Sequence, residues 1–247
     1  MAFKKIKYSI MIPARYASSR LPGKPLVDIC GKTMIQHVWE KCCKVVNVND
    51  VYVVTDDNRI ANEVSRFGGK FLMTTSKCET GTDRVAEANI QLEYDFVINV
   101  QGDEPMINPL DIKKVIESYI KNPGTIINCF ARIDSEGEYY SKSVPKIVMD
   151  DKQYLLYASR APIPHSKSGN FEFGYKQVCI YAFSSEHLNF FVNCSLKKPI
   201  EALEDIETLR FLESGYKVKM LEVSSGTLAV DTPQDLEKVR TAVKLNC

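Results

Sequence analysis

The sequence predicts an α/β protein built on a doubly wound, mostly parallel sheet, and three observations carry that prediction. The first half alternates short apolar runs with stretches of helical period. The first apolar run, Ile10-Met11-Ile12, stops at Pro13 and opens into a basic loop of small residues, within YSIMIPARYASSRLPGKPL from Tyr8 to Leu26. A later apolar run ends in Gln101-Gly102-Asp103-Glu104, which puts acidic residues at the same carboxyl edge of the sheet, where such folds bind ligands.

Taken in order, strands are predicted at 8–12, 51–55, 70–73, 96–100 and 125–132. Thr33 and Gln36 form a capping-box pattern ahead of a helix whose stripe is Met34, Ile35, Val38 and Cys42. Asp57 caps a second, striped by Ile60, Val64 and Phe67 and stopped by Gly68-Gly69. Asn108-Pro109 starts a third, over Ile112, Val115, Ile116 and Tyr119. After about residue 135 the pattern changes: 145–149, 154–158 and 175–183 read as strands without clear helices between them, and 165–170 as an exposed loop. Approximately 140–185 therefore reads as an inserted antiparallel subdomain within one domain spanning 1–247. Helical period returns over 200–212, followed by a strand at 217–223 and a last helix from Thr232-Pro233 along Leu236, Val239 and Val243.

Composition excludes several classes of function. With 32 basic and 31 acidic side chains, the chain has no bulk charge for nucleic acid or a membrane surface, so an anionic ligand needs a local cation cluster. No apolar run reaches the length that spans a bilayer, and the basic start breaks at Pro13, which is not a signal-peptide pattern. Eight cysteines without a CxxC pair read as reduced thiols of a cytoplasmic chain, and three scattered histidines argue against a zinc site. A metal here would be held by carboxylates.

The chemistry concentrates in four stretches. A buried strand delivering Arg15, Arg20 and Lys24 among small residues suits phosphate binding; the alternative is a merely solvated basic loop. Asp103 reads as a metal ligand, because Asn108 is the better-placed cap, and a hard cation such as Mg²⁺ takes one or two carboxylates plus substrate phosphates. Asp231, in Ala229-Val230-Asp231-Thr232-Pro233, is either its partner carboxylate or a helix-start aspartate. The turn from Glu79 to Arg84 either reads a base or ribose or simply caps a helix.

The segments PARYASSRLPGKPL, TGTDR, NVQGDEP, YASRAPIP, IEALEDIETLR and VDTPQDLEKV, in this order and spacing, resemble the 3-deoxy-manno-octulosonate (KDO) cytidylyltransferase family. This is the CMP-KDO synthetase family of bacterial surface polysaccharide synthesis, in lipopolysaccharide or capsule. The resemblance implies a Rossmann-like nucleotidyltransferase three-layer fold, homodimerisation through the inserted region, and Mg²⁺-dependent transfer of CMP from CTP to an acidic sugar acceptor. By position, Arg15, Ser19, Arg20 and Lys24 would grip the triphosphate, with cytosine against Pro13, Ala14 and Arg15 and near Arg84. Asp103 and Asp231 would share the metal, and Lys24, Arg15, Asp103 and Asp231 would form the catalytic set. Gln101, Arg160, Tyr181 and Glu204 would meet the sugar.

Two positions depart from the family. Gln177 stands where a histidine is usual and Thr208 where a glutamine is usual, and both belong by resemblance to the sugar pocket. Altered hydrogen-bonding groups redirect specificity, so a modified KDO or another ulosonate is the alternative acceptor. A non-catalytic nucleotide-binding protein and a metal-dependent glycosyltransferase are further readings, although QGDEP lacks the DxD pair normal in the latter.

Overall fold

Alternation along the first strand decides the architecture. Ile10 and Ile12 bury into one core with Ile35, Val38, Ile60 and Ile112, while Met11 buries into a second with Val85, Leu188 and Phe211. A strand apolar on both faces needs a helical layer on each side. The computed structural model describes residues 6–245 apart from Ser19, Ser195 and Thr227. Its strands are β1 (Tyr8–Ala14), β2 (Asp28–Ile29), β3 (Lys32–Thr33), β4 (Val51–Thr55), β5 (Lys70–Met73), β6 (Phe96–Val100), β7 (Ile126–Arg132), β8 (Lys146–Met149), β9 (Leu155–Ser159), β10 (Tyr175–Ser184) and β11 (Val218–Glu222). Its α-helices are α1 (Met34–Cys43), α2 (Asn58–Arg66), α3 (Gly81–Leu92), α4 (Pro109–Lys121), α5 (Glu136–Tyr140), α6 (Ser185–Asn193), α7 (Pro199–Glu204), α8 (Thr208–Glu213) and α9 (Pro233–Leu245). Helices α1, α2 and α4 cover one face and α3, α6 and α8 the other, giving three layers.

The main sheet runs β11-β7-β10-β6-β1-β4-β5. β1 is parallel to both β4 and β6, β4 to β5, and β7 to β11. Successive strands leave β1 on one side while β6 returns on the other, so the carboxyl ends of β1 and β6 flank the crevice where such sheets bind ligands. Asp57 and Asn108 cap α2 and α4 through Arg59 N–H and Leu110 N–H, and Gly68 takes the left-handed turn at the end of α2.

Three expectations are corrected. Strand β10 does not belong to a separate insertion: it runs antiparallel between β6 and β7, inside the main sheet, because its interior residues are almost all buried. Only β8 and β9 extend outward from it, and the short helix α5 precedes them. The helix expected over 200–212 breaks at Asp205, whose φ of 52° turns the chain between α7 and α8. Thr33 and Gln36 make no capping box, because the Thr33 hydroxyl donates instead to Glu63 and the Gln36 amide to Glu40.

Candidate active site

The ends of β1 and β6 open into a cleft of about 870 Å³. After β1 the chain turns at Gly23, where φ is +69° and the N–H donates to Tyr16 O at 3.1 Å. The turn leads into a short 3-10 helix (Lys24–Leu26) that carries Lys24 into the cleft. The Lys24 ammonium donates to Asp103 Oδ2 at 2.8 Å and to Asp231 Oδ1 at 3.0 Å, and Arg20 Nη2 lies 3.1 Å from the same Asp231 oxygen. Burial pulls the Lys24 pKa down, but the two carboxylates outweigh it and hold the pKa above its ordinary value.

Each carboxylate is placed by its neighbours. Gly102 lets the exit of β6 run against β1, since a Cβ there would stand 2.9 Å from the Pro13 carbonyl oxygen. Asp231 is not the helix cap: Thr232 N–H donates to Asp235 Oδ2 at 3.0 Å and Asp235 N–H to Thr232 Oγ1 at 3.2 Å, a reciprocal box that leaves Asp231 free to face Lys24. Val230 N–H donates to Asp103 O at 2.9 Å and ties the two acidic segments together.

The structure brings Pro13, Ala14, Arg15, Arg20, Lys24 and Arg84 into the cleft wall; Ser19 lies outside the described residues. The Arg15 charge acts on Asp205, whose carboxyl Lys197 first, then Arg160 and Arg15, hold below the usual range. Arg84 is nearly buried, donating to Thr74 Oγ1 and lying 3.3 Å from Asp56 Oδ2. The turn from Glu79 is a helix start, closed by a Thr80–Asp83 capping box, and the N–H groups of Gly81 and Thr82 donate to Glu207 at 2.9 and 3.0 Å.

Gln101, Arg160, Gln177 and Tyr181 line the other half of the cleft, whereas Glu204 and Thr208 stand behind its wall. Glu204 accepts from Ser159 Oγ at 2.6 Å and from Arg160 N–H at 2.8 Å. The Arg160 guanidinium donates to the carbonyls of Glu204, Lys142 and Asp205, so it braces this wall. Thr208 sits buried beneath Gln177, whose Nε2 donates to it at 3.3 Å.

Among the cleft residues that sequence reasoning passed over, three bear most on the site. Glu207, not Glu204, lines the cleft, and only the break at Asp205 decides between them. Lys176 lines it too, paired with Glu138 at 2.6 Å. Glu104 is buried with one oxygen accepting from Cys179 N–H at 3.0 Å and the other unpartnered; burial, then the Asp103 charge, push its pKa up to about 7. Glu104 lay inside the NVQGDEP segment beside Asp103, and Lys176 immediately before Gln177.

As a donor set, Asp103 and Asp231 converge on one cation and leave further positions to substrate oxygens and water. That suits a hard divalent ion, which needs no third protein carboxylate, and no cluster of three potential ligands occurs among the described residues.

Comparison with known proteins agrees with this geometry. The cytidylyltransferase family model matches residues 9–220. A 3-deoxy-manno-octulosonate cytidylyltransferase of Escherichia coli is 42% identical over 234 residues, 95% of each chain. An 8-amino-3,8-dideoxy-manno-octulosonate cytidylyltransferase of Shewanella amazonensis is 38% identical over 96% of this chain and 99% of its own. A solved CMP:2-keto-3-deoxy-manno-octonic acid synthetase complexed with CTP superposes with a TM-score of 0.89 at 41% identity, covering 98% of this chain and 100% of that one.

Proposed function

The chain belongs to the cytidylyltransferase family, and from that membership we propose that it transfers CMP from CTP to the 2-hydroxyl of 3-deoxy-manno-octulosonate. The observation that carries the reading is the meeting of Lys24, Asp103 and Asp231, from three distant parts of the chain, in the cleft that the basic loop shares with Gln101, Gln177 and Tyr181. In the reaction the sugar hydroxyl oxygen forms a bond to the α-phosphorus and loses its proton to solvent, the bond from that phosphorus to the bridging oxygen breaks, and pyrophosphate leaves. No side-chain nucleophile is required. The protein aligns two anions and neutralises their charge.

Arg15, Arg20 and Lys24 hold the triphosphate; the Pro13–Ala14 backbone and Arg84 bound the base; Gln101, Gln177, Tyr181 and Glu207 meet the sugar. Asp103 and Asp231 would hold Mg²⁺, which supplies neutralisation of phosphate charge and acidifies a bound hydroxyl. Arg160 and Glu204 fix the wall. We place the enzyme in the cytoplasm, where its described cysteines, all unpaired, stay reduced, and as a homodimer through the β8–β9 extension, where Leu156 is 62% exposed. No helix among the described residues is long and apolar enough to cross a membrane.

A second reading is favoured by Gln177 and by the Shewanella relative: the acceptor is an amino-substituted KDO. Pyrophosphate release with CTP, Mg²⁺ and a panel of ulosonic acids tests both. Turnover of KDO supports the first reading, and turnover of the amino sugar alone the second. Absence of release with every acceptor overturns the proposal, and gel filtration checks the dimer.

A further inference from the structure

The amide of Gln177 is wired in one direction. Asn128 on β7 is fully buried, and its Nδ2 donates to Val178 O at 3.0 Å and Ile180 O at 3.2 Å. Those carbonyls flank the point where β10 shifts register against β7, between Val178 and Tyr181. Two backbone acceptors leave Asn128 no choice of amide orientation, so its Oδ1 must accept. It accepts from Gln177 Nε2 at 2.8 Å, and the same nitrogen donates to Thr208 Oγ1 at 3.3 Å. Both amide hydrogens of Gln177 are therefore spent in the wall, and its remaining polar atom, the carbonyl oxygen, serves the cleft that Gln177 lines.

We propose that Asn128 and Thr208 act as positioning residues that fix Gln177 as a pure hydrogen-bond acceptor, so that the cleft selects an acceptor sugar by a donor group at this point. This rests on the cytidylyltransferase reading and adds the polarity of its acceptor subsite. A hydroxyl and an ammonium share the required chemistry. A group that only accepts, such as an ether or a second carbonyl, leaves Gln177 Oε1 desolvated and unpaired, which is the costly outcome.

The test is a cycle between enzyme and substrate. Wild type and Gln177→Met are compared by kcat/KM for KDO, its 8-amino analogue and a set of analogues each lacking one hydroxyl. With wild type, one deoxy analogue loses about ten- to a hundredfold in kcat/KM, the worth of one hydrogen bond. With Gln177→Met that same loss shrinks to within about twofold, while the KM for CTP stays unchanged. If the amino sugar is the true acceptor substrate, wild type prefers it over KDO and Gln177→Met erases the preference. Asn128→Leu, which frees the Gln177 amide, blurs the same discrimination without moving the KM for CTP. Thermal unfolding and CTP binding of each variant establish that it is folded. Equal discrimination by wild type and Gln177→Met against every analogue overturns the inference, whereas failure of wild type to use any ulosonate overturns the proposed function instead.

Discussion

Removing the guanidinium of Arg210 is expected to destabilise the protein more than any change in the cleft. Arg210 is 1% exposed and Glu201 fully buried, and the two form a fork: Nε to Oε2 and Nη2 to Oε1, each 2.7 Å. Nη1 donates to Asp83 at 2.7 Å and the guanidinium stacks 3.7 Å from the Phe191 ring centroid. Burial opposes the charge, but Glu201 and Asp83 together hold the Arg210 pKa above its ordinary value. Arg210→Met keeps the bulk and abandons Glu201 in the interior, which costs about 3–5 kcal/mol. For a chain of this length, at about 2–4 °C per kcal/mol, Tm falls by roughly 6–20 °C. Arg210→Met with Glu201→Leu removes both charges and is expected to regain most of the loss; Asp83 keeps its Thr80 partners. Differential scanning calorimetry of the three proteins decides. A single variant within about 2 °C of wild type, or a double variant no better than the single, refutes the assignment of this cost to the orphaned charge.

Asp103→Asn is expected to reduce pyrophosphate release at least about a hundredfold, the scale of one electrostatic contact at the reacting centre, with Tm little changed; near-normal release at saturating Mg²⁺ removes Asp103 from the catalytic set. His187 sits in a capping box in which Ser184 N–H donates to its Nδ1, and burial holds its pKa below the ordinary 6.5. The unfolded chain therefore takes up a proton before the folded one, so stability is fully present above about pH 6.5 and is lost as pH falls below it. His187→Gln flattens that slope in urea titrations between pH 5 and 8, and an unchanged slope removes His187 as its source. Gly102→Ala forces a Cβ to 2.9 Å from the Pro13 carbonyl and is expected to cost about 1–3 kcal/mol together with turnover. Gly226→Ala, with open space around it, is the neutral control, and equal behaviour of the two variants counts against the close approach of β1 and β6.

What the sequence disclosed follows from how local each feature is. The strands β1, β4, β5 and β6, the Asp57 and Asn108 caps and the basic loop are written in contiguous residues, and they stand where the periodicity placed them. The place of β10 was not legible, because a mostly apolar strand with a polar start, YKQVCIYAFS, suits the centre of one sheet as well as the edge of another. Glu204 was expected at the sugar and Glu207 lines the cleft instead, because Asp205 adopts a left-handed conformation that the helical period conceals. Thr33 lost its cap to Glu63, thirty residues away, which no local pattern records. The polarity of Gln177 depends on Asn128 and on a register shift, and so on tertiary structure alone.

Charge accounting in the cleft argues for a bound cation. Arg15, Arg20 and Lys24 face Asp103 and Asp231, and two of those three cations are already committed to the carboxylates. Of these five groups only one positive charge remains in surplus, and the acids elsewhere in the cleft, Glu207 and Asp205 among them, add none, against the roughly four negative charges of a nucleoside triphosphate in a partly desolvated site. CTP is therefore expected to bind weakly in EDTA and at least about tenfold more tightly with Mg²⁺, measured by titration calorimetry without sugar. Lys24→Met exposes the same balance from the other side. It leaves Asp103 without its ion-pair partner and Asp231 with Arg20 alone, so CTP binding in EDTA should collapse while the gain from Mg²⁺ widens. Equal CTP affinity with and without Mg²⁺ in wild type would mean that the basic loop suffices for the triphosphate, and that the two aspartates serve Lys24 alone.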